Sequence, residues 1–235
     1  MNGKKIGIMG GTFDPIHIAH LRLAETAYET FQLDQVIFVP AADPPHKSGS
    51  RITSYAKRAD MVKAAIENNP HFICSDIEWM RKGYSYTSET LEWFDREMPG
   101  NSFYFIVGAD SLFYMDDWHN PGRIFQLATV LAVTRGEVSM EQLEEKICFL
   151  REKFHARVYA MEYANLDISS HMIRALVAEN RSIRYFVPDQ VAKYIYTNRL
   201  YLNQNQHDLS FCHRMDCVTD DKGRESCHDN RNHRY

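Results

Sequence analysis

The chain has 235 residues, with 27 basic and 31 acidic side chains and a net charge of −4. That balance leaves no polyanion-binding footprint, so a nucleic-acid partner is not indicated. The length suits one domain of about 200 residues plus an appendage. Lys4 and Lys5 precede a brief apolar run that glycines end at once. Such a run is too short for a secretory core or a membrane span, which points to a cytoplasmic protein. Of the five cysteines, Cys74 and Cys148 lie in apolar patterns and read as buried thiols.

Residues 6–9 form a short apolar run that reads as a buried strand. Gly10-Gly11-Thr12-Phe13-Asp14-Pro15-Ile16-His17-Ile18-Ala19-His20 follows, and then Leu21, Ala24, Tyr28 and Phe31 recur at helical spacing. The order is strand, glycine turn, helix. Gly10 and Gly11 lack a Cβ, so the backbone can turn tightly and approach a ligand. Asp14 and Pro15 read as N-cap and first helical residue. That register puts His17 and His20, three apart, on one face of the first turns. A helix N-terminus suits a phosphate, and two imidazoles add donors aimed at the same anion. Two glycines alone are an ordinary turn; the information lies in the eleven-residue combination. It is neither a dinucleotide fingerprint nor a Walker P-loop.

Further along, 35–39 is a second strand ending at Pro40. Residues 41–50 form a polar loop, long enough to be a binding loop, whose His46-Lys47 pair could meet phosphate. A helix spans 54–68 with Met61, Val62, Ala65 and Ile66 inward, and 72–77 reads as a strand. Thr87 or Ser88 caps a helix running to Met98. The strand at 102–107 runs straight into Gly108-Ala109-Asp110, where Asp110 can cap the next helix or accept from ribose hydroxyls. Trp118 stands beside two acids and His119, where its face could stack on a flat ring. A strand at 129–134 is followed by Arg135, a helix at 139–154 and a strand at 157–161. Ser169-Ser170 form an N-cap pair, with Arg174 about one turn inside, and a last helix covers 188–200. The alternation argues for an α/β fold, a Rossmann-like doubly wound parallel sheet flanked by helices. In such a sheet ligands sit outside the carboxyl ends of the strands, the edge on which Gly10, Gly108 and Arg135 all fall.

The stretch from Gly10 to His20 resembles the nucleotide-binding motif of the adenylyl- and cytidylyltransferase superfamily, in the form GGTFDPxHxGH of the bacterial nicotinate-mononucleotide adenylyltransferases. Ala19 replaces the glycine of that pattern. Pro44-Pro45-His46-Lys47, Tyr86-Thr87, Gly108-Ala109-Asp110 and Trp118 match further family positions, with His119 where tyrosine is frequent. Ile168-Ser169-Ser170-His171-Met172-Ile173-Arg174 resembles the ISSTxIR motif, His171 replacing threonine. The resemblance spans about residues 4–201. It implies ATP contacts from Gly10, Gly11, Thr12, Phe13, His17, His20, Gly108, Arg135, Ile168, Ser169, Ser170 and Arg174. It implies pyridine-nucleotide contacts from Thr12, Lys47, Thr87, Asp110, Trp118 and His119.

The reaction this implies is transfer of the adenylyl group of ATP to nicotinate mononucleotide, a step of NAD biosynthesis. His17, His20 and Arg174 would be catalytic, and Mg²⁺ would ride on the triphosphate. Expected partners are the two nucleotides, with no nucleic acid or membrane, and a homo-oligomer is compatible with the sequence. Alternatives are a related transferase using nicotinamide mononucleotide or phosphopantetheine, or a non-catalytic nucleotide sensor. The catalytic domain is expected at 1–202. Residues 203–235 form a polar extension, expected to be flexible, whose C-x4-C-x9-C-H spacing is no standard zinc pattern.

Overall fold

Unbroken apolar runs make strands that must be covered on both faces, and this is how they are used. The computed structural model describes residues 3–44, 52–133, 140–162 and 166–203. Six strands form one sheet: β1 (Lys5–Gly11), β2 (Gln35–Pro40), β3 (Phe72–Cys74), β4 (Ser102–Gly108), β5 (Ala128–Val133) and β6 (Val158–Met161). Every neighbouring pair is parallel and the order is β3-β2-β1-β4-β5-β6. All six residues of β5 are buried. The helices are α1 (Ile18–Phe31), α2 (Tyr55–Ile66), α3 (Ile77–Arg81), α4 (Thr87–Glu97), α5 (Ala109–Phe113), α6 (Pro121–Leu127), α7 (Met140–Phe154), α8 (Ser170–Ala178) and α9 (Asp189–Thr197).

The period-2 alternation of the strands sorts the core. Ile6, Ile8, Ile37, Val39, Phe103, Phe105, Val107, Val130 and Ala132 share one cluster with Ile77, Leu91, Phe94, Ile124, Phe125, Leu143, Ile147 and Leu150. That face is therefore covered by α3, α4, α6 and α7. Phe38, between Ile37 and Val39, points the other way and meets Phe13 and Phe72. On α1 the buried residues are Ala19, Leu23, Ala24 and Ala27, mostly small. The hydroxyl of Tyr194 on α9 donates to Asp60 on α2 at 2.8 Å.

Several expected boundaries move. Gly10 and Gly11 complete β1, paired with Val39 and Pro40, and do not form the turn. α1 begins at Ile18 with His17 as N-cap, so Asp14 is not a cap and Pro15 is not helical. The inward face of α1 is set by Leu23 and the alanines, with Leu21, Tyr28 and Phe31 only half-buried. The run 72–77 divides: β3 ends at Cys74, and Ile77 starts α3 and enters the core from a helix. Thr87 is the first residue of α4, capped by Tyr86. Gly108, not Asp110, caps α5. Cys148 is exposed and Cys74 half-buried, so neither is the sealed thiol its apolar neighbours suggest. Burial nonetheless pushes the Cys74 thiol up to about 11.

Candidate active site

The sheet changes direction between β1 and β4, because the chain winds outward from β1 through β2 and β3 and then restarts at β4. At that point the two strands part. Pairing of β1 with β4 stops at Ile8↔Phe105, whereas β1 stays paired with β2 to Gly11↔Pro40 and β4 with β5 to Gly108↔Val133. The ends of β1 and β4 thus flank a crevice. Gly10, exposed at this edge, has the Phe105 ring 3.8 Å from where a Cβ would stand. Gly11 has a stricter reason to be glycine: a Cβ there would lie 2.9 Å from the Phe13 ring.

Phe13 takes a left-handed backbone (φ 49°) and is buried. Its ring meets His20 edge-on, with centroids 5.1 Å apart. The Phe13 ring therefore supports the His20 ring. The His17 and His20 rings stack at 3.7 Å, and the His17 N–H donates to His20 Nδ1 at 3.3 Å. With Nδ1 accepting, the neutral His20 ring carries its proton on Nε2. The N-terminus of α1 is less open than expected, since the Ile18 N–H already donates to the Phe186 carbonyl at 2.9 Å.

The late motif is fastened to the early one. Ser169 caps α8 by accepting from the Met172 N–H at 3.1 Å, as its sequence position suggests. Ser170 Oγ donates to the Pro15 carbonyl at 2.8 Å, and Arg174 Nη1 donates to the Asp14 carbonyl at 2.7 Å. His17, His20, Ser170 and Arg174 therefore converge on one loop. Ile168 is half-buried just ahead of this turn, and His171 is exposed.

Asp14 is the hub of that loop. Its carboxylate is buried and accepts from the Thr53 N–H at 3.1 Å and from the Tyr201 hydroxyl at 2.7 Å. Burial first, and then the Asp14 charge, push the Tyr201 hydroxyl well above the usual phenol range. Neither Tyr201 nor Thr53 was singled out from sequence, because nothing local marks a partner 187 residues away. Arg58 was also missed: it lies on the inward face of α2 and is 1% exposed. A cation in register with Met61 and Val62 was the available signal. Burial pulls its proton affinity down, and Asp14 opposes that.

On the other side of the crevice lie Gly108 and Asp110, which is exposed in the first turn of α5. Trp118 is half-buried, 6.2 Å and 77° from the Phe105 ring. Tyr86, the cap before Thr87, stacks on His119 at 4.2 Å. Thr87 and the Trp118-His119 pair are thus brought together across 31 residues of sequence. Lys47 and Arg135 lie outside the described residues, as do His46 and residues 204–235. Among the described residues no group of three or more His, Cys, Asp or Glu side chains could hold a metal ion. No helix among them is long and apolar enough to cross a membrane.

Comparison with known proteins gives the family and the fold. A cytidylyltransferase-like family model matches residues 8–176. A probable nicotinate-nucleotide adenylyltransferase of Lachnoclostridium phytofermentans is 41% identical over 199 residues, covering 85% of this chain and 100% of that relative. One from Clostridium beijerinckii is 43% identical over 202 residues, covering 84% of this chain and 99% of its own. Among solved structures, a Plasmodium falciparum nicotinic acid mononucleotide adenylyltransferase complexed with NaAD superposes with a TM-score of 0.70. It is 21% identical and covers 84% of this chain and 97% of its own, a likeness of fold.

Proposed function

Since the chain belongs to the cytidylyltransferase-like family, and within it to the nicotinate-nucleotide adenylyltransferases, we propose how its own residues carry that reaction. The enzyme transfers the adenylyl group of ATP to nicotinate mononucleotide and releases pyrophosphate. An oxygen of the mononucleotide 5′-phosphate attacks the α-phosphorus of ATP. A new P–O bond forms as the bond to the α–β bridging oxygen breaks, and pyrophosphate leaves with that electron pair. Phosphate is already a nucleophile at neutral pH, so the protein has to align the reactants and stabilise charge.

His17 and His20 face the transferring phosphoryl group, and Arg174, with Ser169 and Ser170, holds the departing pyrophosphate. Gly10 and Gly11 let nucleotide lie close to the end of β1, and Thr12, Gly108 and Ile168 line the same crevice. Thr87, Asp110, Trp118 and His119 place the pyridine nucleotide, with Lys47 and Arg135 as further phosphate contacts. ATP enters as its Mg²⁺ complex. There the cation would be held mainly by phosphate oxygens and water.

One observation carries this assignment of roles: Ser170 and Arg174 bond the carbonyls of Pro15 and Asp14, which joins the two phosphate-binding motifs at one place. The test is pyrophosphate release from ATP with nicotinate mononucleotide or its amide as acceptor. Turnover is expected to be about tenfold or more higher on the acid, the discrimination that a site hydrogen-bonding a carboxylate can reach. Equal turnover on both would overturn the acid preference.

A further inference from the structure

We propose that Arg58 is a positioning residue for this reaction. Its buried guanidinium locks the loop carrying His17 to residues 41–43, and through them to the start of α4. The inference rests on the roles assigned above. Arg58 Nη1 donates to the Thr12 carbonyl at 2.6 Å, Nη2 to the Ala41 carbonyl at 2.7 Å, and Nε to the Thr53 carbonyl at 2.8 Å. These three carbonyls lie just after β1, just after β2 and just before α2. The tie is reinforced from both sides. The Ala41 N–H donates to the Gly11 carbonyl at 2.8 Å, and the Thr53 N–H reaches Asp14 Oδ2.

Residues 41–43 pass the position on. Ser85 Oγ accepts from the N–H groups of Ala42 and Asp43 at 2.9 and 3.1 Å, and the Ser85 N–H donates to the Asp43 carbonyl at 3.1 Å. Tyr86 and Thr87 follow immediately. Arg58 thus stands between the loop that grips phosphate and the helix start assigned to the pyridine ring.

The chemistry requires arginine. A planar guanidinium presents five N–H donors in fixed directions, and three acceptors here are met along three of them. A lysine ammonium is one point donor on a flexible stem and cannot meet all three at once. A guanidinium buried to satisfy loop carbonyls, one of them beside the histidine motif, sets loop geometry as well as stability. Misplacing reacting groups by about 1 Å can cost about a hundredfold in rate.

The experiment uses the full chain. For wild type, Arg58→Lys and Ser85→Ala, kcat per folded molecule and both KM values are measured below each protein's Tm, with folded fraction from circular dichroism. Arg58→Lys is expected to lower kcat by about tenfold or more and to raise KM for nicotinate mononucleotide by about threefold or more. A merely structural arginine would lower Tm and the folded fraction but leave kcat per folded molecule and both KM values unchanged, and that result overturns the inference. If Arg58→Lys does not fold, Ser85→Ala decides: a raised KM for the mononucleotide with KM for ATP unchanged supports the relay, and wild-type constants overturn it. A wild-type chain silent on both nucleotides overturns the adenylyl-transfer reading together with this inference. An active wild type with an unaltered lysine variant overturns the inference alone.

Discussion

His20 stands in the first turn of α1, stacked on His17 and propped by the edge of Phe13. Its ring can be removed without opening the core, since it is only half-buried. His20→Ala is therefore expected to lower kcat by about tenfold or more, the scale of losing one transition-state donor, while the far-UV circular dichroism and Tm stay near wild type. Turnover equal to wild type would remove His20 from the chemistry. At this scale much was legible. The types and spacing of His17, His20, Ser169, Ser170 and Arg174 pointed to phosphate, because few other jobs need those groups together. The residues that hold them were not legible. That the Phe13 ring packs against His20 shows only in the folded chain. Arg58 and Tyr201 act on groups far away in sequence, with no local pattern to announce it.

At the scale of elements, the turns around Trp118 are pinned by charge. A 3-10 turn at Met115–Asp117 follows α5, and Trp118 closes it by donating its N–H to the Met115 carbonyl at 3.3 Å. Asp116 accepts from Lys146 on α7, with Lys153 3.6 Å away, and the Asp116 side chain is only 15% exposed. Burial works to raise its carboxyl, but the hydrogen bond and charge of Lys146 outweigh that and hold it below the usual carboxylate range. A carboxyl depressed in the folded state adds stability above its unfolded value of about 4, and that stability is lost as pH falls through the lower folded value. Asp116→Asn is thus expected to cost about 1–3 kcal/mol at pH 7. The deficit relative to wild type should shrink to nothing under strongly acidic conditions. Urea titrations across pH check this, and a deficit independent of pH would show that the ion pair is not its source. Element boundaries were the least legible feature. Asp14 looked like a cap because Asp-Pro before an apolar pattern favours one. The carboxylate is instead taken by the Thr53 N–H and Tyr201, tertiary partners that a local rule cannot weigh.

For the whole molecule, the parting of β1 from β4 past Ile8 and Phe105 makes the crevice, and α8 closes on it through Asp14 and Pro15. The assembly is described through Asn203, and the curated relatives align over 99–100% of their own length while covering 84–85% of this chain. The segment from 203 to 235 is thus a proposed appendage. A chain ending at Leu202 is expected to keep kcat and both KM values within about twofold of the full chain, a difference of under about 0.5 kcal/mol in transition-state binding. A loss of tenfold or more would place a needed group in the tail.

Sequence alone determined the alternation of strand and helix and the parallel sheet, and it supplied the side chains proposed to bind phosphate. Burial periodicity and side-chain chemistry are properties of neighbouring residues and survive without coordinates. Only the tertiary structure decided that Gly11 is small to clear Phe13, that the Asp14 carbonyl steadies Arg174, and that Arg58 ties the loop after β1 to both ends of the segment between β2 and α2. The last two depend on hydrogen bonds between groups up to 160 residues apart, whose partners exist only once the sheet has brought its carboxyl ends together.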